Sequence, residues 1–258
     1  MNDLIVQKGT VATPYGKIHQ LVATPRDPCH SEADAWTWGV DDNGYSSAKP
    51  CSCMASWKYA ARYTKAAIPP RFAAATFDQT DWDRRAVSAV RVEAEACANN
   101  IDPYGPGLLL CGPWNGSGKS HIAACIAHHR LAAGQHVRWL KWERLLRDAA
   151  ATYDDNVDAS LSGLIDGYLD ADLLVIDELR PSKGKGLGDR LVDELLAARA
   201  DQGRTMLVTT NMAPDARGGS PDLAKGIGGP AFSRLIGACK PMLMKDTDWR
   251  LKAAVGPS

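Results

Sequence analysis

No sign of charge dominates this chain. Its 258 residues carry thirty basic and thirty acidic side chains, for a pI near 7.0. That excludes a protein held to nucleic acid by bulk positive charge, so any anionic partner must meet a local patch. No apolar run approaches the ~20 residues that a bilayer span requires. The N-terminal residues MNDLIVQKGT lack the apolar core of a signal peptide, so a cytoplasmic protein with no membrane partner is expected. There is no internal repeat. Seven cysteines, an odd number, fit poorly with a disulfide framework in that setting. What is present is an ordinary globular mixture, 45% apolar and 23% charged, long enough for one large domain and a small one.

Charge and texture change along the chain. Residues 180–258 hold thirteen basic and eight acidic side chains, so an anionic partner is expected there. The first seventy residues are rich in Pro, Gly, Ser, Trp and Tyr and show little periodicity. A segment of that kind needs a staple or a partner to fold. Ile68-Pro69-Pro70-Arg71 reads as an extended linker. We therefore expect a small N-terminal module over residues 1–67 and a larger domain over 68–258. In the larger domain helices and strands alternate. A helix is expected over Asp81 to Ala98, with Asp81 as its cap, and strands over Gly107–Cys111, His136–Leu140, Leu173–Ile176 and Thr205–Thr209. Helices are expected over Lys119–Ala133, Trp142–Tyr153, Leu161–Leu169 and Ala231–Ile236, along the face made by Leu187, Leu191, Val192, Leu195 and Leu196, and a last strand over Met242–Met244. That order predicts an α/β fold, a parallel sheet covered by helices on both faces.

Three motifs carry chemistry. Gly116-Ser117-Gly118-Lys119-Ser120 follows the first strand of this domain and opens a helix, the setting of a phosphate-binding loop. Backbone N–H groups from Gly112, Asn115, Gly116, Ser117, Gly118 and His121 would face the phosphates of a nucleotide. Lys119 would reach the β- and γ-phosphates, and Ser120 would ligate Mg²⁺. The spacing is irregular: in G-x-x-x-x-G-K-S the first Gly falls on Pro113, and Gly112 lies one place too early. Asp177-Glu178 ends a fully apolar strand, which suits Asp177 to Mg²⁺ and Glu178 to general-base work on water. Asn211, after Thr209-Thr210, could position that water. Cys97, Cys111, Cys125 and Cys239 read as small buried hydrophobes, and His128 and His129, adjacent on a helix, as packing or surface residues.

The phosphate loop, Ile176-Asp177-Glu178, Thr209-Thr210-Asn211, Ser233-Arg234-Leu235 and Asp248-Trp249-Arg250, in this order, resemble the AAA+ ATPases of the DnaC-type helicase loaders and the related IstB transposition helpers, over roughly residues 68–252. The resemblance implies a P-loop AAA+ ATPase domain, an adenine pocket near Ile68–Asp78, Asn211 as first sensor and Arg234 as an arginine finger acting on a neighbouring subunit. Arg250 is either a second sensor or a surface charge. Some loaders of this type carry a zinc module that docks on the helicase, with a Cys-x-x-Cys pair followed by Cys-x-Cys. Here Cys29, Cys51 and Cys53 supply three ligands, and His30 or His19 could supply the fourth. The alternative is three free thiols. The implied partners are a DnaB-like replicative helicase, single-stranded DNA and further copies of the chain. The basic loop Arg180–Gly186 is a candidate DNA contact or a solvated connection. The rival is an IstB-like helper of transposition on target DNA.

Overall fold

The structure is a computed structural model and describes residues 4–13, 16–27, 29, 35–83, 85–154, 161–180, 186–214, 222–245 and 248. The chain divides into two compact units, Met1–Ala74 and Ala75–Ser258.

The N-terminal unit is more regular than its sequence suggests. Strands β1 (Leu4–Thr13) and β2 (Gly16–Pro25) pair antiparallel, with Leu4 opposite Pro25 and Thr13 opposite Gly16. A second hairpin joins β3 (Trp36–Val40) to β4 (Ser46–Pro50). Its turn is held by the Asp41 carboxylate, which accepts the N–H groups of Asn43 and Tyr45, and by Gly44 at φ +81°. Helix α1 (Met54–Ala66) packs on β2, burying Ala60, Tyr63 and Ala66. The Ala23 N–H donates to Thr64 Oγ1 on that helix.

In the C-terminal unit a short helix α2 (Arg85–Ser88) and α3 (Arg91–Asn99) precede β5 (Gly107–Cys111). The chain continues through α4 (Lys119–Ala132), β6 (Val137–Lys141), α5 (Trp142–Asp154), α6 (Leu161–Leu169), β7 (Leu173–Asp177) and α7 (Leu187–Asp201). It ends with β8 (Met206–Thr210), α8 (Leu223–Ile227), α9 (Gly229–Ala238) and β9 (Cys239–Leu243). The five strands form one parallel sheet in the order β6-β7-β8-β5-β9. β5, β7 and β8 are buried at every position, which is why each reads as an unbroken apolar run. Leu109, Leu174, Ile176 and Val208 turn to the face covered by α5–α9, where Leu191, Leu195, Ala231 and Leu235 complete the core. Their strand neighbours face α4, with buried Ile122 and Ile126. At Gly107 a Cβ would overlap the Met206 carbonyl oxygen, so this strand start tolerates only glycine.

The expected strands and helices of this unit are present, most within one residue of the expected bounds, with three larger differences. The helix expected over Asp81–Ala98 is broken. Asp81 Oδ1 accepts the Asp83 N–H in a local turn rather than capping a helix, and the Val90 N–H donates to the Val87 carbonyl between α2 and α3. Val87 and Val90 are both buried there, so packing overrides continuation of the helix. α9 starts at Gly229, and β9 starts at Cys239 rather than Met242. Among the described residues no helix is long and apolar enough to cross a membrane.

Candidate functional site

All five strands point the same way, so their carboxyl ends and the residues that follow gather at one edge of the sheet. In open α/β sheets that edge is where ligands bind. Lys141 ends β6, Asp177 ends β7, Asn211 follows β8, and the phosphate loop runs from β5 into α4.

The loop closes around its lysine. Lys119 is buried, and its Nζ donates to the carbonyls of Gly112 (3.1 Å) and Trp114 (2.7 Å) and to Ser117 Oγ (3.1 Å). Gly112, at φ +143°, lies so close to the Met244 carbonyl that a Cβ would overlap it. Loop N–H groups ahead of a helix N-terminus, here that of α4, are suited to binding anionic oxygens. The His121 side chain is turned toward the lead-in segment, with Nε2 3.1 Å from Thr80 Oγ1 and 3.6 Å from Cys125 Sγ. Only its backbone is left for phosphate.

Asp177 is fully buried. Its Oδ1 accepts Ser120 Oγ and Thr209 Oγ1, each at 2.7 Å, while Oδ2 has no hydrogen-bond partner among the described residues. Burying a carboxylate oxygen without a donor is costly, and a cation beside it would offset that cost. The Asp177 carboxylate, with Oδ1 against the Ser120 hydroxyl and Oδ2 unpartnered among the described residues, is the hard-oxygen set that Mg²⁺ prefers, so these residues fit that ion.

Glu178 follows at φ +59°, left-handed backbone that a non-glycine residue rarely adopts. β8 holds it there. The Glu178 N–H donates to Thr209 Oγ1 (2.9 Å), the Leu179 N–H to the Thr209 carbonyl (2.8 Å), and Thr210 Oγ1 to the Leu179 carbonyl (2.7 Å). The Glu178 carboxylate lies 3.8 Å from Lys141 Nζ, and Arg180 pairs with Glu143 at the start of α5 at 3.7 Å. Asn211 Nδ2 donates to Asn115 Oδ1 at 2.7 Å, linking the end of β8 to the phosphate loop.

The structure thus brings together Gly112, Asn115, Gly116, Ser117, Gly118, Lys119, Ser120, Asp177, Glu178 and Asn211. Sequence reasoning overlooked Thr209, whose single hydroxyl serves both Asp177 and Glu178, and it overlooked Lys141. The signal for Thr209 was a polar residue closing an apolar strand. Its register against β7 had none. Arg234 is half-exposed on α9 and pairs with Asp193 Oδ1 of α7 at 3.1 Å. Arg250, Lys183 and Lys185 lie outside the described residues.

The N-terminal unit holds a second cluster. The β3–β4 ladder is extended by the Cys51 N–H, which donates to the Ala35 carbonyl, and Cys53 caps α1. The sulfurs of Cys29, Cys51 and Cys53 all lie within 4.8 Å of one another, with Cys29 Sγ 3.1 Å from Cys51 Sγ. Cys51 is pushed down to about 6 by the Cys53 backbone N–H and then by the Cys29 thiol, while the Cys29 hydrogen bond pushes Cys53 up to about 12. Three convergent sulfurs with one favoured thiolate fit a soft divalent ion such as Zn²⁺. His30, a candidate fourth ligand, and the His19 side chain lie outside the described residues. The other four cysteines are buried. Burial pushes Cys97, Cys111 and Cys125 up to about 11 and Cys239 up as well, the behaviour of inert core thiols.

Comparison with known proteins adds the family. Residues 56–253 match the family of IstB-like ATP binding proteins. An ATP-binding protein in an insertion sequence of Mycobacterium tuberculosis is 26% identical over 187 residues, covering 71% of either chain. The crystal structure of the DnaC helicase loader superposes with a TM-score of 0.59 at 18% identity, over 68% of this chain and 99% of that one. DnaI superposes with 0.56 at 15% identity, over 70% and 93%. Identities this low show a shared fold and nothing further.

Proposed function

The chain belongs to the IstB-like ATP-binding family and is a P-loop AAA+ ATPase, and from that premise we propose that it loads a replicative ring helicase of the DnaB type onto single-stranded DNA, with ATP binding and hydrolysis as the switch. The observation that carries this reading is the cysteine cluster. The family match begins at residue 56, so Cys29, Cys51 and Cys53 and both hairpins lie ahead of it. A stapled hairpin that exposes Trp38 (77%), Val40 and Tyr45 is a surface for gripping a protein, and residues 1–67 form the helicase-docking module in this reading. Cys29, Cys51, Cys53 and His30 hold zinc, and the metal supplies folding energy to a small segment.

In the ATPase unit Lys119 neutralises the β- and γ-phosphates, while Ser120 and Asp177 hold Mg²⁺. The ion, when bound, supplies Lewis-acid neutralisation of charge on the phosphate oxygens. Glu178 takes the proton of the attacking water, and Asn211 orients that water. Arg234 acts on the ATP of a neighbouring copy, so hydrolysis is tied to assembly along DNA. The excess of basic residues after Arg180 supports a DNA contact in this part of the chain.

A second reading, an ATPase that assists transposition on target DNA, is favoured by the insertion-sequence relative. Purified components separate the two. With ATP, the full chain should co-elute with a hexameric DnaB-type helicase, and a Cys51→Ser/Cys53→Ser variant should not. Binding to a transposase from an insertion sequence, with no helicase complex at micromolar concentrations, would overturn the loader reading.

A further inference from the structure

The phosphate loop has one residue more than regular spacing allows between Gly112 and Lys119. The fold absorbs it without displacing the lysine, whose Nζ still reaches the carbonyls of Gly112 and Trp114. The slack falls at Trp114 and Asn115. Trp114 is 53% exposed, and Asn115, next in the chain, is exposed too. Asn115 Oδ1 accepts the hydrogen bond of Asn211 Nδ2 at 2.7 Å. One residue beyond Asn211, the Met212 carbonyl accepts the Gly112 N–H at 3.2 Å. The lengthened loop is therefore fastened to the end of β8 twice, by backbone at Met212 and by side chain at Asn211.

We propose that Asn115 is a positioning residue for ATP hydrolysis that acts through Asn211. The two ends of an asparagine amide have nearly the same shape and opposite hydrogen-bonding character. An unrestrained Asn211 would offer a water either a carbonyl or an amino group. With one Nδ2 hydrogen given to Asn115, the amide of Asn211 is fixed one way round, so its Oδ1 faces away from that contact and can accept a hydrogen from a water, which aims the oxygen lone pairs of that water elsewhere, toward an electrophile. The extra loop residue thereby gains a use: it carries an acceptor out to the end of β8, the strand next to β7 in the sheet. The inference rests on Asn211 being the residue that orients water. It differs from a direct contact of Asn115 with ATP, because a residue acting only through Asn211 changes turnover and leaves nucleotide affinity alone.

Steady-state ATP hydrolysis by the full chain tests it. Asn115→Ala should lower kcat roughly three- to tenfold, the range of one ordinary hydrogen bond, with KM for ATP and nucleotide affinity by calorimetry within twofold. Asn115→Asp keeps the acceptor at the same length, so kcat should recover even if its charge raises KM. In an Asn211→Ala background, Asn115→Ala should cost nothing further. If Asn211→Ala loses turnover while Asn115→Ala keeps it, the inference falls and the role of Asn211 stands. If Asn211→Ala hydrolyses ATP like the wild-type chain, the role of Asn211 falls and the inference with it. A variant that loses affinity with kcat unchanged, or two losses that multiply in the double variant, would also overturn it.

Discussion

Asp177 presents its two oxygens to different surroundings, one accepting two hydroxyls and the other buried without a donor among the described residues. Its neighbour Glu178 is fixed at the backbone by Thr209, and its carboxylate lies 3.8 Å from Lys141 Nζ. Both members of that pair are partly exposed, at 40% and 28%, so the contact is a weak restraint. It holds the carboxylate toward β6. In the proposed role of base for water attack, Glu178 would have to leave it. Lys141→Ala should therefore raise kcat for ATP by about two- to fivefold, the span of an exposed ion pair, without changing KM. Glu178→Gln, which keeps size and removes the base, should bind ATP normally and lose nearly all turnover. Steady-state kinetics and calorimetry check both. A fall in kcat on losing Lys141 would make that lysine part of the reacting site rather than a restraint on it.

Elements differ in how openly the sequence declares them. β5, β7 and β8 are buried on both faces, so composition alone marks them, and their parallel order follows from the helices between them. The phosphate loop and Asp177-Glu178 were legible for the same reason, as polar residues at the ends of apolar runs. β3 is exposed at all five positions and carries no burial pattern to read, and β1, β2 and α1 stabilise one another in ways a window of sequence does not reveal. Contacts set by register were also hidden: nothing in the chain states that Thr209 lies beside Asp177 and Glu178, or that Asn115 reaches Asn211. The exposed hairpin makes a metal prediction at this scale. Purified protein should carry one zinc per chain, and Cys51→Ser/Cys53→Ser should carry none while still binding ATP. After chelation Cys51, pushed down to about 6, is thiolate above that pH, whereas Cys53, pushed up to about 12, is not. Iodoacetamide at pH 7 should then label Cys51 first, and restored zinc should protect it. Zinc absent from the wild-type chain, or retained by the double variant, defeats the ligand set.

Across the whole molecule, the question is whether one chain suffices for hydrolysis. Charge developing on the transferred phosphoryl group needs a cation beyond Lys119, and such a finger is worth roughly 10³–10⁵ in rate in related nucleotide hydrolases. Arg234 is the candidate, and in the single chain it is paired with Asp193 on α7, both about half exposed. An exposed pair of this kind contributes about 0.2–1 kcal/mol, little enough for a neighbouring subunit's triphosphate to displace. ATP hydrolysis per subunit should accordingly rise with protein concentration across the range where copies associate. Single-stranded DNA that aligns them should raise it further. Arg234→Ala should keep ATP binding and lose hydrolysis. Asp193→Ala, which releases the guanidinium, should leave hydrolysis intact and move its half-maximal protein concentration lower, by a few-fold at most. Mixing the Arg234→Ala chain with a Lys119→Ala chain is the decisive arrangement. The first keeps a whole nucleotide pocket, the second a whole finger, and where the second follows the first in an assembly one complete site is rebuilt. Light scattering shows whether mixed assemblies form, and phosphate release shows whether they work. If they form and stay inactive, or if turnover per subunit is the same at every concentration, Arg234 serves only its own chain as the partner of Asp193.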